Sequence, residues 1–392
     1  MQLLRTTVLA AFISSVAVSP VLAFTSAEVA ARLEQTFSHP KLANARISFL
    51  AADVPTGEII YQRNAGLSLV PASNAKLAVT AAALLLLGPD YCFRTVVYVG
   101  GPVETNGRIA GPLLVVGSAD PTADPGIFHS LAAELAKRGY RLASGLLVNR
   151  AVTASRGDST AASRQLLLQA LAKHGFGLCP GSAVFPTSTN TSMLIQHSSG
   201  PLGAIIVRVN KQSANSLADN LWRSIGWLAA GLPQRMPEFL RRFWAERGLP
   251  MAGVQFADGS GLSRNNRATA VFYVELLRYM AARQLEWPAF VGSLPVAGHD
   301  GTLADRFRRS PWRGHIWAKT GTMHDMTTLS GYISTSGGRL VAFSCLINNV
   351  AGRLNSARFL QDRACEILAA LEGSAPAGEA RAGLFPQKLS DE

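Results

Sequence analysis

The sequence predicts a mixed α/β protein: an antiparallel sheet flanked by helices, a helical subdomain, and a smaller strand-and-helix domain inserted between them. Three observations lead there. Strand-like runs lie near both ends of the chain, at residues 45–51 and 58–62 and again at 315–321, 328–334 and 339–348. Residues 77–87 form an apolar run with Thr80 as its one polar member, which reads as a buried helix. Short β-branched runs separated by glycine turns cluster within residues 92–200, a change of texture that marks an insert. Strands from the two ends can close one antiparallel sheet with helices on its faces, which brings distant residues to one cleft.

Taken in order, residues 1–23 have the composition of a secretory leader. Arg5 makes a short basic region, residues 7–18 are mostly apolar, and Val21-Leu22-Ala23 is a small-x-small cleavage site. The apolar run is short for a membrane anchor, and no later stretch is long enough to span a bilayer. The expectation is an exported, periplasmic protein that begins after Ala23. Residues 24–91 then open the main domain. Val29, Leu33 and Phe37 recur at helical spacing in residues 26–37. Asp53-Val54-Pro55-Thr56-Gly57 reads as the hairpin turn between the first two strands. Ser73 and Asn74 are good cap residues for the apolar helix, and Gly88-Pro89 stops it.

The insert, residues 92–200, carries strand-like runs at 94–99, 113–116 and 145–148, helical patterns at 127–138 and 163–174, and a loop at 187–192. The main domain resumes over residues 201–371. Helical patterns cover 216–230, 237–247 and 269–283, a turn cluster covers Asp258 to Leu262, and a closing helix covers 356–371. The tail, residues 372–392, lacks periodicity and is expected to be mobile.

Hydrophobic residues make up 48% of the chain and charged residues 16%, an ordinary globular balance. The formal charge of +12 invites a nucleic-acid reading, but the leader argues against nucleic acid. A basic exported surface suits an anionic envelope polymer or, at most, peripheral contact with acidic headgroups. Arg241-Arg242 and Arg308-Arg309 read as solvated faces. Four cysteines, Cys92, Cys179, Cys345 and Cys365, permit disulfides in an exported chain. None forms a Cys-x-x-Cys pair, which argues against zinc. Cys345 and Cys365 are the favoured pair, with free buried thiols as the alternative.

The chemistry begins at Ser73. It lies at a helix start, where unpaired N–H groups collect positive potential. Lys76 is one turn on, on the same face. A desolvated lysine is biased to its neutral amine, which can take the proton of a serine. The bland alternative is a capping serine followed by a snorkelling lysine. Two further motifs change the balance: Ser213-Ala214-Asn215 before a helix, and Lys319-Thr320-Gly321-Thr322 on a strand. Ser-x-x-Lys, Ser-x-Asn and Lys-Thr-Gly in that order are the signature of penicillin-binding proteins and serine β-lactamases.

Further segments narrow the match. They are Asp258-Gly259-Ser260-Gly261-Leu262-Ser263-Arg264-Asn265, Ser293-Leu294-Pro295-Val296-Ala297-Gly298, Asp300-Gly301-Thr302-Leu303, Gly331-Tyr332 and Gly117-Ser118-Ala119-Asp120-Pro121-Thr122. Together they resemble the class C low-molecular-mass penicillin-binding proteins, the D-alanyl-D-alanine carboxypeptidase/endopeptidases of the penicillin-binding protein 4 type. The resemblance implies a DD-peptidase/β-lactamase-like fold, peptidoglycan stem peptides as substrate, β-lactams as covalent inhibitors, and no metal or organic cofactor. Ala214 stands where that family usually has Asp, and the span from Ser73 to Ser213 is shorter than in members with two inserted domains.

The resemblance and the chemistry assign the same roles. Ser73 attacks the carbonyl of the penultimate D-alanine, Lys76 is its base, and Ser213 relays a proton to the leaving amine. Asn215 holds a substrate amide and contacts Lys76. Lys319 supplies positive potential that keeps Lys76 neutral and draws the terminal carboxylate, which the Thr320 and Thr322 hydroxyls bind beside Gly321. The Ser73 and Thr322 N–H groups form the oxyanion hole. His299, His315 and His324 lack metal spacing and read as surface or supporting residues. Asp258 and Asp300 read as turn formers, with Asp300 a second choice for substrate contact. Glu238 and Glu246 lie where a class A β-lactamase carries its deacylating Glu, but both fit an amphipathic helix. A β-lactamase and a catalytically silent cell-wall-binding protein are the alternatives to a DD-peptidase.

Overall fold

The structure is a computed structural model that describes residues 23–149, 151–154, 160–179 and 192–373. The leader, the 187–192 loop and the tail called from the sequence fall almost wholly outside these residues.

The helix α1 (Ser26–Phe37) starts in a capping box: the Glu28 N–H donates to the Thr25 hydroxyl, and the Glu28 carboxylate accepts from the Thr25 N–H. β1 (Arg46–Asp53) and β2 (Ile59–Arg63) follow as the expected hairpin, with Gly57 at φ 76° in the turn. A 3₁₀ turn over Ala72–Asn74 runs into α2 (Ala75–Leu87), which Gly88 ends at φ 81°. The capping expectation fails here. The 3₁₀ turn makes the chain helical already at Asn74, so neither Ser73 nor Asn74 is placed to cap α2. Both side chains have other partners.

The insert contributes β3 (Cys92–Val99), β4 (Leu113–Val116), α3 (Gly126–Lys137), β5 (Leu142–Ala143), β6 (Leu146–Val148), α4 (Thr160–Lys173), β7 (Gly177–Leu178) and β8 (Ser192–Pro201). Its larger sheet has the order β6-β4-β3-β8. β8 was not expected from the sequence. It is a sheet edge whose side chains are mostly exposed, so it has little apolar alternation to read. The chain continues through α5 (Leu202–Lys211), α6 (Asn215–Ala229), α7 (Met236–Ala245), α8 (Ala270–Ala281) and α9 (Trp287–Gly292). It closes with β9 (Ile316–Met323), β10 (Met326–Ser334), β11 (Leu340–Asn348) and α10 (Leu354–Ala369).

The two ends meet in one five-stranded antiparallel sheet, order β2-β1-β11-β10-β9. It is buried on both faces, and alternate residues serve different cores. Phe343, Cys345 and Ile347 of β11 face α1 and α10, whereas Ala342 and Leu346 face the helical side. Every residue of α2 from Ala75 to Leu84 is buried, with α5, α6, α7 and α9 packed around it. Its alanines let those neighbours approach closely. The insert has its own core around Val97, Val115, Phe128 and Leu171. Its Gly117–Thr122 turn lies on α6: Ser224 Oγ donates to the Ala119 carbonyl at 2.5 Å, and Asn220 Nδ2 to the Pro121 carbonyl at 3.0 Å.

The favoured disulfide is absent. Cys345 and Cys365 are both buried free thiols, and burial raises the Cys345 pKa to about 12. No described helix is long and apolar enough to cross a membrane.

The crowding around α2 gives a direct test. Ala82 is fully buried, so Ala82→Leu should overpack the core and cost about 1–3 kcal/mol. Calorimetry should show a lowered melting midpoint; an unchanged midpoint would mean the helix is loosely packed.

Candidate active site

Three segments converge at one cleft: the turn before α2, the loop before α6, and the edge strand β9. The sheet fixes the first of them with hydroxyls. Thr328 and Ser330 share one face of β10 by strand alternation. Thr328 Oγ1 donates to the Pro71 carbonyl at 2.9 Å, and Asn74 Nδ2 donates to Ser330 Oγ at 2.6 Å. Ser330 in turn lies 2.8 Å from Ser344 Oγ on β11. Ser73 is thus held between a buried helix and the central strands.

Two glycines permit the close approach. A Cβ on Gly321 would lie 2.2 Å from Thr328 Oγ1 and 3.0 Å from the Ser73 nitrogen. A Cβ on Gly261 would lie 1.9 Å from the Ala72 carbonyl oxygen, and Gly261 has φ +84°. The neighbouring Ala72 and Ser213 adopt positive φ, 47° and 54°, without being glycine. Such conformations cost of order 1–3 kcal/mol each and persist where surrounding structure enforces them.

Lys76 is fully buried. Its Nζ lies 2.9 Å from Ser73 Oγ, 2.8 Å from Asn215 Oδ1 and 2.5 Å from the Ser260 carbonyl. An ammonium satisfies all three as donor. A neutral amine has two N–H bonds and a lone pair, so it donates to two oxygens and accepts from the Ser73 hydroxyl. Burial drives its pKa down to about 8, against the opposing pull of Asp219 and Asp258. Asp219 accepts the Gly259 and Ser260 N–H groups at 3.1 and 2.7 Å, and burial raises its own pKa. The sequence reading did not single it out.

Lys319 is also fully buried, and its Nζ donates to Ser213 Oγ at 3.0 Å and to the Thr320 carbonyl at 2.9 Å. Burial first, then repulsion from Lys76, pushes it well below the usual lysine range. That repulsion is mutual, so charge on either amine disfavours charge on the other. Desolvation is the leading cause of the Lys76 shift, and Lys319 is itself a depressed amine with its protons engaged.

The cleft holds a cavity of about 700 Å³ lined by Ser73, Ser213, Asn215, Thr320, Gly321 and Thr322, with the two lysines behind them. β9 is the sheet edge on this side. The Ala318 N–H donates outward to the Pro295 carbonyl. By two-residue alternation, the Thr320 and Thr322 N–H groups face the same open side. The cavity wall also includes Leu262, Thr302, Arg306, Asn355, Arg358, Phe359 and Asp362. Thr302 receives the Thr320 hydroxyl at 2.6 Å, and its Asp-Gly-Thr-Leu context was a usable signal. The α10 residues gave none, because their polar positions read as the solvated face of a closing helix.

Other candidates lie elsewhere. Asp258 accepts from the N–H groups of Gly261 and Ser263, as a turn former does. Asp300 accepts the Val296 N–H at 2.9 Å, ion-pairs with Lys211, and is not in the cavity wall. His324 meets Arg264 and Asp325 at the surface. Glu246 pairs with Arg242 on the exposed side of α7. Among the described residues no group of three or more His, Cys, Asp and Glu side chains could hold a metal ion.

The model of the D-Ala-D-Ala carboxypeptidase 3 (S13) family matches residues 29–160 and 148–364. The chain belongs to this family. It is similar to a D-alanyl-D-alanine carboxypeptidase of an Actinomadura species, with 28% identity over 85% of this chain and 84% of the relative. It is also similar to the D-alanyl-D-alanine carboxypeptidase DacB of Haemophilus influenzae, with 23% identity over 81% of this chain and 91% of that protein. In fold it resembles penicillin-binding protein 4 of H. influenzae in complex with a β-lactam, at a TM-score of 0.68, 21% identity, 86% of this chain and 98% of the other. A penicillin G-acylated predatory endopeptidase of Bdellovibrio bacteriovorus superposes with a TM-score of 0.55 at 20% identity, over 86% of this chain and 96% of the other.

The close approach at Gly261 is testable. Gly261→Ala adds a Cβ against the Ala72–Ser73 backbone at a positive φ, and should destabilise by more than about 1–3 kcal/mol. Gly66→Ala has nothing within 4 Å and should stay within about 0.5 kcal/mol of wild type. Urea unfolding of both variants decides it; equal effects would contradict the geometry.

Proposed function

We infer that the protein is a serine DD-peptidase that hydrolyses D-alanyl amide bonds in peptidoglycan stem peptides and is acylated by β-lactams at Ser73. The observation that carries this reading is a serine hydroxyl in a cleft wall, 2.9 Å from a buried lysine amine whose pKa falls to about 8. Family membership supports it.

The chemistry runs through this chain's own groups. Ser73 Oγ attacks the carbonyl carbon of the penultimate D-alanine as its proton passes to Lys76 Nζ. The developing oxyanion sits between the Ser73 and Thr322 N–H groups, each such donor being worth roughly 3–4 kcal/mol. The C–N bond breaks as Ser213, held by Lys319, hands its hydroxyl proton to the leaving amine and is reprotonated with the proton that Lys76 took from Ser73. Water then attacks the acyl-enzyme carbonyl as Lys76 takes its proton, and the bond to Ser73 Oγ breaks as Lys76 returns that proton to it. Asn215 supports both Lys76 and the substrate amide. A long-lived adduct with penicillin separates this reading from a β-lactamase, which would turn the drug over rapidly.

The relatives are named carboxypeptidases and some structural neighbours endopeptidases, and both reactions release an amine from the same D-alanyl acyl group. The leader-like residues 1–23 support an exported, periplasmic setting in contact with the cell wall. Mass spectrometry of products from purified cross-linked and uncross-linked muropeptides tests the function directly. Loss of D-alanine, or opening of cross-links, is expected; intact muropeptides after prolonged incubation would overturn the reading.

The pH dependence has a definite sign. Only the neutral Lys76 amine has a lone pair for the Ser73 proton, and the neutral fraction grows as pH rises through about 8. The rate of acylation by penicillin should therefore climb nearly tenfold per pH unit below that value and level off above it. Stopped-flow rates between about pH 6 and 9 check this; a flat profile would remove Lys76 as the base.

A further inference from the structure

The cleft needs a cation for the carboxylate that lies next to the scissile amide, and Lys319 is poorly placed to serve. Its amine is fully buried and committed to Ser213 Oγ and the Thr320 carbonyl. Two other cations line the cavity wall, Arg306 and Arg358. Arg306 is spent on structure: it forms an ion pair with Asp362 and donates to Gln361 Oε1 at 3.1 Å. Arg264, near the cleft, is held by Asp325 at 2.8 Å.

Arg358 differs from all of these. It stands half-buried on α10, and its Nη2 donates to Thr322 Oγ1 at 3.1 Å. Among the described residues no carboxylate comes within ion-pair distance of it; Asp362 feels it only as a minor field. Its remaining N–H groups are therefore available beside the hydroxyl and the outward N–H of Thr322. A guanidinium keeps its charge when half-buried and presents a planar fork that matches a carboxylate.

We propose that Arg358 is the carboxylate anchor of this cleft, acting with the Thr322 hydroxyl on the α-carboxylate of the leaving group. The inference rests on the DD-peptidase reading and names its main determinant of recognition. A C-terminal D-alanine carries this carboxylate, and so does the amino-acid residue on the amine side of a cross-link. One anchor thus serves both trimming and cross-link cleavage. Lys319 is left with the proton-handling end of the site, where it orients Ser213. A helix that reads as a closing strut of the fold therefore supplies part of substrate recognition.

The test compares an N-acylated peptide ending in D-Ala-D-Ala as the free acid with the same peptide as its C-terminal amide, on wild type, Arg358→Gln and Arg358→Lys. Arg358→Gln should lose roughly ten- to a hundredfold in kcat/KM on the free acid, mostly through KM, and less than about twofold on the amide. Arg358→Lys should recover part of the loss, since it keeps the charge without the fork. Equal losses on acid and amide, or full free-acid activity in Arg358→Gln, would overturn the anchor while leaving the DD-peptidase reading intact. Wild type that cleaves neither peptide, nor any muropeptide, would remove that reading and the anchor together.

Discussion

The constraint on which the site depends is the burial of two lysine amines in one protein interior. Neither Lys76 nor Lys319 has measurable exposure. A bare ammonium in such surroundings costs several kcal/mol, so the amines shift toward neutrality and every remaining proton must find an acceptor. Ser73, Asn215 and the Ser260 carbonyl serve the first amine; Ser213 and the Thr320 carbonyl serve the second. These acceptors come from four separate stretches of chain. The motifs are therefore members of one hydrogen-bonding solution to one desolvation problem. The unusual basicity of Lys76 is the residue of that problem, since Asp219 and Asp258 soften its depression without cancelling it.

Holding four stretches together calls for rigid support, and the fold supplies it through small and polar residues in unusual places. Strand hydroxyls at Thr328 and Ser330 point to the helical side and grip the Pro71–Asn74 turn. Glycines at 261 and 321 remove the atoms that would keep backbones apart. The insert takes part as well. Its Gly117–Thr122 turn is tied to α6, the helix that begins with Asn215. The insert thus bears on the cleft through the same helix that carries a partner of Lys76.

Much of this was legible in the sequence. Helical spacing located α1 to the residue, and the terminal strand-like runs did close one antiparallel sheet. Ser73, Lys76, Ser213, Asn215, Lys319, Thr320, Gly321 and Thr322 were found by motif, and the structure brings them to one place. The failures have physical causes. β8 is a polar edge strand and has no buried alternation to betray it. The capping idea failed because the 3₁₀ turn makes the chain helical before α2, while Ser73 is taken by Lys76 one turn on and Asn74 by Ser330 across the sheet. Asp219, which bears on Lys76, was missed because burial depth is invisible in a linear pattern. Arg358 was invisible for the opposite reason: on a helix wheel an arginine facing a cleft looks like one facing water.

Peptide-level mass spectrometry of the protein after brief exposure to penicillin tests the central claim most directly. The account predicts one equivalent of penicilloyl adduct, localised to the peptide that carries Ser73. An adduct mapped to another residue, or full turnover of the drug with no Ser73 adduct ever trapped, would contradict it.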